Sequence, residues 1–581
     1  MTLRDSSPRL SRRGFLAAGA GALAVTAIGG WTPVHAVPSG SAGATLPTPP
    51  GFPEGIELYQ QAYQNWSKEI MLDAIQTCAP RTPDDIVRLV NWAHRSGYTI
   101  RPRGAMHGWT PLTIVNGAPV DRVILADTML HLNRVRVNPG GSPATVTADP
   151  GATLDAITAA LQDHGLGLAN LPAPGVLSIA GALAVNAHGA ALPADGESTL
   201  PGHTFGSMSN LVTELTAVVW DGSAYALRTF TRADPEITPL LTHLGRTFIT
   251  SVTLQAGPNY RMRCRSFTDV SWQELFAPAG ASGRTFESFV ASAGRAEAIW
   301  YPFTDKPWMK VWSLAPEKPA TSREVTGPYN YPFSDNVPEP ITDLLGQITA
   351  GNTSIAPAFG QTYYGVTVAG LAATGSSDIW GWSKDLQFYI KATTLRLTEG
   401  GGAVLTNRAN IANVIHDFTH WFAERIEHYR GLGQFPLNGP VEIRCCGLDR
   451  PEDVLVPSAG PPTIASTRPR PDHPEWDTAI WLNVLGVPGT PGMFAFYREM
   501  EQWMRQRYNG SDSTFRPEWS KGWAFGPDLP YTDEQILTQG LPETYREGVP
   551  SDENWDSARA VYNRLDPHRV FSNTFIDTLL P

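Results

Sequence analysis

The chain has 581 residues, 42% of them hydrophobic and 17% charged, with a formal net charge of −11. That length spans roughly two to four domain-sized units, and the apolar share is ample for buried cores. The acidic balance excludes a nucleic-acid binder, which needs a basic footprint. The four cysteines, Cys78, Cys264, Cys445 and Cys446, form neither a disulfide framework nor a zinc pattern.

The first element is a targeting segment. Ser11-Arg12-Arg13-Gly14-Phe15-Leu16 has the form of a twin-arginine export signal, followed by a short run of Gly, Ala and apolar residues. That run is too short to span a membrane. Val34-His35-Ala36 supplies small residues for a cut after Ala36. Residues 1–36 hold four Arg against Asp5, so their removal takes the charge from −11 to about −14. The expectation is an exported protein, soluble and monomeric, released or kept at the cell surface.

Residues 37–53 read as a loose Pro/Gly/Ala leader. Thr82, Pro83, Asp84 and Asp85 then predict a capped helix start. Ile86, Leu89, Val90 and Ala93 give it one apolar stripe, and Gly97 ends it. A strand over 98–102 leads into the loop Arg103-Gly104-Ala105-Met106-His107-Gly108-Trp109. Strands at 123–125 and 145–148 follow, then a helix carrying Leu154, Ile157 and Leu161 up to Gly165. A long Gly/Ala/Pro stretch fills 171–201. Strands over 211–220, 224–227 and 248–254 complete an α+β pattern. After about Gly257 the texture changes: Pro, Trp and Tyr become dense. The tail turns helical again around Leu565-Asp566-Pro567.

A strand that ends in a Gly loop exposes backbone N–H groups able to cradle a pyrophosphate. A second Gly-rich segment runs through Pro174-Gly175, Ser178-Ile179-Ala180-Gly181 and Asn186-Ala187-His188-Gly189. In this order and spacing, residues 80–254 resemble the FAD domain of the vanillyl-alcohol oxidase flavoprotein family. The resemblance implies an FAD site built from Arg103, Gly104, Ala105, Met106, His107, Gly108, Trp109, Gly175, Ser178, Ile179, Gly181, Asn186, His188, Gly189, Ile249 and Asn483. It also implies covalent attachment of FAD through His107, since imidazole is a competent nucleophile. A histidyl bond to the flavin should raise its redox potential. No Cys stands between Cys78 and Cys264, so a second covalent bond is not expected.

Four segments of the later chain resemble the substrate domain of the histidyl-FAD cholesterol oxidases: Glu297 to Pro302, Val441 to Cys446, Trp481 to Val484, and Glu518 to Lys521. Glu442 and Arg444 alternate on one predicted strand, so they share a face and can open or close as a pair. The resemblance implies that this pair, with Glu297, controls oxygen access and polar chemistry near the flavin. Glu297 lies in an apolar, aromatic run with few polar partners in view, so burial is expected to raise its pKa. It is the expected proton shuttle, with Glu442 as the alternative. Asn483 and Lys521 can donate to the substrate oxygen, and Glu399 and Glu518 join the set from the same resemblance.

Two other motifs carry less. His416 and His420 stand at i, i+4 on a helix without the Glu of a zinc protease, and no metal site is expected. Gly400-Gly401-Gly402 reads as a flexible turn. Cys445 and Cys446 read as buried thiols, because a bond between neighbours is geometrically awkward.

The expected architecture is α+β, a two-domain vanillyl-alcohol-oxidase-type fold. An FAD-binding α+β domain covers 37–259. A substrate-binding α+β domain with a large antiparallel sheet covers 260–540, and 541–581 returns to the FAD domain. The resemblance implies oxidation of a 3β-hydroxysterol such as cholesterol to a 3-ketone, with 5-ene to 4-ene isomerisation. O2 is the acceptor and hydrogen peroxide the product. Transient contact with a sterol-containing membrane would go with this substrate. Two alternatives stand beside this reading: a related oxidase of a sugar, lactone or aromatic alcohol, and a catalytically silent sterol-binding flavoprotein.

Overall fold

The computed structural model describes residues 46–335 and 339–581. The export signal at 1–36 lies outside the described residues, as does all but the end of the leader. Among the described residues no helix is long and apolar enough to cross a membrane.

Three sheets organise the described residues. The first has four strands, Glu57–Gln64, Met71–Ala79, Val123–Asp127 and Thr99–Arg103, in that spatial order. Its last two pairings are parallel. The helix Pro83–Ser96 connects two of its strands and starts as its sequence predicts. Thr82 and Asp85 form a reciprocal capping box, and Gly97 closes the helix at φ 68°. Neither Glu57–Gln64 nor Met71–Ala79 is foreseen from the sequence.

The second sheet orders Val135–Asn138, Ala144–Ala148, Phe248–Pro258, Val212–Trp220 and Tyr225–Thr231, all antiparallel. Leu166–Gly167 pairs with the far end of Phe248–Pro258. Leu154, Ile157, Leu161, Val252 and Leu254 share one core with Trp555, Tyr562, Leu565 and Ile576 from the end of the chain. The last helices, Trp555–Leu565 and Thr574–Leu579, thus pack against the second sheet, and Asp566-Pro567 is the break between them.

Arg261–Phe267 begins three residues after Pro258 and belongs to the third sheet, which has nine strands. Its central run is Arg261–Phe267, Trp308–Leu314, Arg295–Trp300, Val441–Gly447, Thr478–Gly486 and Thr398–Thr406, antiparallel throughout. The two-domain α+β fold with a large antiparallel sheet is therefore the one observed.

The glycine triplet is a correction. Gly400, Gly401 and Gly402 are not a flexible turn but lie inside the fully buried strand Thr398–Thr406. A Cβ on Gly401 would stand 2.1 Å from the Leu482 carbonyl oxygen, and one on Gly402 2.3 Å from that of Arg516. Glycine here serves close strand packing. All four cysteines are buried free thiols. His416 and His420 lie on the helix Ile411–Gly431, where His420 Nδ1 is 3.0 Å from the His416 carbonyl. No cluster able to hold a metal occurs among the described residues.

Candidate active site

A cavity runs between the first two sheets and one face of the third. It encloses about 2600 Å³ of unfilled space, mouth included. Its first wall is the loop after Thr99–Arg103. Met106 there adopts φ 54°, a left-handed conformation unusual outside glycine. Among the described residues, the backbone N–H groups of 104 to 108 have no hydrogen-bond partner. Five consecutive unpaired donors on a cavity wall suit a pyrophosphate, so the loop fits FAD.

His107 faces this cavity. Its ring stacks on Trp66 at 3.7 Å between centroids and meets Trp109 edge-on at 6.2 Å. Burial, with Lys521 and Arg396 nearby, pushes its pKa down to about 3. The imidazole is therefore neutral at physiological pH, the form a nucleophile requires. The loop is pinned to the third sheet's side of the cavity. Trp109 donates its backbone N–H to Ser520 O at 2.8 Å and its indole N–H to Leu397 O at 2.9 Å.

Gly104, Ala105, Met106, Gly108, Trp109, Ser178, Gly181, His188, Gly189 and Ile249 also line the cavity. Five expected cofactor residues are placed otherwise. Gly175, against Phe388 and Asp155, and the fully buried Asn483 do not reach the wall. Ile179 packs into the core of the second sheet and does not reach the wall. Asn186 adopts φ 57°, and its amide bonds Ser207 Oγ at 2.6 Å and Thr467 Oγ1 at 3.1 Å, away from the wall. Arg103 reaches the wall, but its guanidinium is ion-paired with Asp127, so it braces the loop.

The opposite wall is one face of the nine-stranded sheet. Cross-strand register places Glu297 opposite Lys310 on one side and Arg444 on the other. It places Glu442 opposite Asn483, and Asn483 opposite Gly401. Arg444 Nη1 lies 2.8 Å from Glu442 Oε2 and 3.2 Å from Glu297 Oε1, and Nη2 is 3.9 Å from Glu399 Oε1. Burial would lower the Arg444 pKa, but Glu442, Glu518, Glu297 and Glu399 hold it well above its ordinary value.

Glu297 departs from expectation. It is not a lone desolvated carboxylate. Lys310 Nζ sits 3.0 Å from Oε2, and the Tyr389 hydroxyl donates to both oxygens at 2.8 Å. Burial pushes its pKa up, but Lys310, Arg444 and Tyr389 outweigh it, and the net shift is downward. The raised carboxylate is Glu399, pushed up to about 7 by burial and by Glu442 and Glu518, against the pull of Lys521 and Arg444. Glu399 Oε2 pairs with Lys521 Nζ, while Oε1 has no hydrogen-bond partner among the described residues. Lys521 also lies over the Trp109 ring at 4.0 Å, so the ammonium touches both walls.

Glu518 accepts from Asn483 Nδ2 at 2.8 Å and lies 3.3 Å from His188 Nε2. Burial raises its pKa, but Lys521, His188 and Arg444 bring it well below the ordinary carboxylate range. His188 stacks flat on Trp481 at 3.4 Å, and burial holds its pKa below the usual histidine value. Asn483 itself is fully buried behind this pair.

Sequence reading missed Trp66, Lys310 and Tyr389. For Lys310 a signal was present: Trp308-Met309-Lys310-Val311-Trp312 puts a lysine and two tryptophans on one strand face. Trp66 and Tyr389 lie in loops whose local sequence says nothing of their distant partners.

Comparison with known proteins agrees with this arrangement. Residues 75–228 match the FAD binding domain family. Residues 261–581 match the cholesterol oxidase substrate-binding family. Cholesterol oxidase from Brevibacterium sterolicum and a histidine-to-alanine mutant of it each superpose with TM-score 0.92 at 72% identity, covering 93% of this chain and 100% of theirs. A solvent-stable cholesterol oxidase superposes with TM-score 0.91 at 47% identity, covering 92% of this chain and 100% of its own. L-gulono-1,4-lactone dehydrogenase of Mycobacterium tuberculosis is 20% identical over 520 residues, 89% of this chain and 99% of that protein. From the family match over 261–581 and the 72% identity across 93% of its length, the chain belongs to the cholesterol oxidase family of FAD-binding proteins.

Proposed function

We propose that the protein oxidises the 3β-hydroxyl of cholesterol or a related sterol to a ketone, with FAD attached covalently through His107. O2 is the acceptor, so alcohol and O2 yield ketone and hydrogen peroxide. The observation that carries this reading is Glu399. One of its oxygens, without a hydrogen-bond partner among the described residues, belongs to a side chain that lines the same cavity as a neutral His107. Met262, Ile299, Tyr301, Trp308 and Trp312 on the third-sheet side, with Tyr363 from the helix Ala356–Thr374, line the rest of the cavity, an apolar and aromatic surface suited to a rigid hydrocarbon.

When bound, FAD would take two electrons from the alcohol and pass them to O2. The chain's own residues hold and move protons. Lys521, between Glu399 and the Trp109 ring, can donate to the sterol oxygen. Glu399 changes protonation near neutrality and carries the proton for the 5-ene to 4-ene shift, a role the bound-up Glu297 suits poorly. Glu442 and Arg444 form the movable pair beside it. Export through the twin-arginine route, a monomeric state and passing contact with sterol-containing membrane complete the proposal.

The test is a comparison of substrates in air. Cholesterol is expected to give one peroxide per conjugated ketone, and L-gulono-1,4-lactone none. Peroxide from the lactone but not from cholesterol would overturn the reading.

A further inference from the structure

Lys310 is fully buried and, among the described residues, has one carboxylate partner, Glu297. Aromatic faces enclose its ammonium. The Tyr389 centroid lies 3.1 Å from Nζ, that of Trp312 4.8 Å, that of Trp308 5.2 Å and that of Tyr331 5.5 Å. Ring quadrupoles favour a cation in such a cage, and the contacting carboxylate offsets its desolvation. The Tyr389 backbone N–H donates to Ala173 O at 3.1 Å, in the Gly-rich wall on the FAD side. The tyrosine therefore joins that wall to Glu297.

The charged groups can be counted by element. Arg295–Trp300 contributes Glu297, and Trp308–Leu314 contributes Lys310. Thr398–Thr406 contributes Glu399, and Val441–Gly447 contributes Glu442 and Arg444. Glu518 and Lys521 follow Thr514–Pro517. Burial pushes the neighbouring His188 below, and Tyr389, Tyr497 and Cys264 above, their ordinary pKa values, in each case toward the neutral form. Four carboxylates thus face three cations; next to them Glu69, which accepts from Thr398 Oγ1 at 2.8 Å, and Arg396, over the Trp66 ring, add one charge of each sign, so the excess stays at one and a single proton makes the cluster neutral.

We propose that Lys310 and Tyr389 are positioning residues for the sterol reaction: they clamp Glu297 as a fixed anion, so that the proton the cluster exchanges is carried by Glu399. This rests on the reading of Glu399 as proton carrier. The charge count makes it testable. Lys310→Met leaves four carboxylates and two cations, so two carboxyls exchange protons. Glu297→Gln leaves three of each, so none does so near neutrality. Lys310→Met with Glu297→Gln restores an excess of one.

The measurement is an infrared titration of protonated carboxyl groups in the holoenzyme without substrate, from about pH 5.5 to 9, a window spanning the shifted groups. Wild type is expected to lose one buried carboxyl band through pH 7, and Glu399→Gln to lack it. Lys310→Met should lose two bands, Glu297→Gln none, and the double variant one. An unchanged single band in Lys310→Met, or its persistence in Glu297→Gln, would overturn the proposal. If Lys310→Met does not fold, Glu297→Gln, which keeps the side chain's shape, decides alone. Anaerobic flavin bleaching by cholesterol is followed in the same samples. Absence of bleaching in wild type refutes the sterol reading, while the band count still decides the clamp.

Discussion

Glu297 and Lys310 face each other across adjacent strands, with Lys310 Nζ 3.0 Å from Glu297 Oε2 and neither side chain more than 1% exposed. Arg444 approaches the same carboxylate from the strand on the other side, so Glu297 is held between two cations. An acid so held is a poor proton carrier, which is why the role is proposed for Glu399 on the same sheet face.

The pH dependence of isomerisation follows from Glu399. Moving the double bond requires a carboxylate that removes a proton at C4 and returns one at C6. Glu399 is a carboxylate above about pH 7 and a neutral acid below it. Formation of conjugated ketone should therefore rise about tenfold per pH unit well below 7 and level off above about pH 8. Lys521 lowers the Glu399 pKa, so Lys521→Met should move the profile to higher pH. Glu399→Gln should let the unconjugated ketone accumulate. The check is near-ultraviolet absorbance across a pH series, since only the conjugated ketone absorbs strongly there.

His107→Ala should release the flavin. The wild-type protein is expected to give a fluorescent band on a denaturing gel, and the variant none. The variant should still bind FAD, because the unpaired N–H donors of the loop are backbone groups that the substitution leaves in place. Flavin content before and after acid precipitation measures both effects.

Gly104 is set by one contact. A Cβ there would stand 2.1 Å from Ser178 Oγ, across the two Gly-rich segments of the cavity wall. Gly104→Ala should destabilise the protein by about 1–3 kcal/mol and lower its FAD content. Adding Ser178→Gly removes the clashing hydroxyl and should recover most of both losses. Denaturant midpoints and flavin-to-protein ratios read the outcome.

Glu442 and Arg444 should behave as one unit. Their 2.8 Å contact sits beside Glu297 and Glu399, so removing either partner changes the charge felt by the other. The double variant Glu442→Gln, Arg444→Met should depart from additivity by about 1–3 kcal/mol. Stopped-flow is expected to show a larger change in flavin reoxidation by O2 than in reduction by sterol.

Local signals made parts of this fold legible. The helix over 83–96 could be read because its cap, first turn, apolar stripe and terminal glycine all lie within one short segment. The strands over 211–220 and 248–254 were visible as apolar runs bounded by turns, although the second runs on to Pro258. Glu57–Gln64 was not, because a Gln-rich edge strand with mostly half-buried residues shows no alternation. Gly400 to Gly402 looked like a turn because nothing nearby reveals that strands on both sides press against the triplet. The site divides in the same way. His107 and the Glu442–Arg444 alternation are local patterns. The partners that reverse the Glu297 expectation come from positions 310, 389 and 444, brought together only by strand register and a loop.

On the proposed function, one cavity holds both the flavin and a sterol whose alcohol reduces it. The most direct test mixes anaerobic holoenzyme with cholesterol and follows the flavin's visible absorbance, then admits O2. The account predicts bleaching by one equivalent of cholesterol, full recovery on O2, and one equivalent of hydrogen peroxide. An oxidised flavin spectrum left unchanged by cholesterol would contradict it.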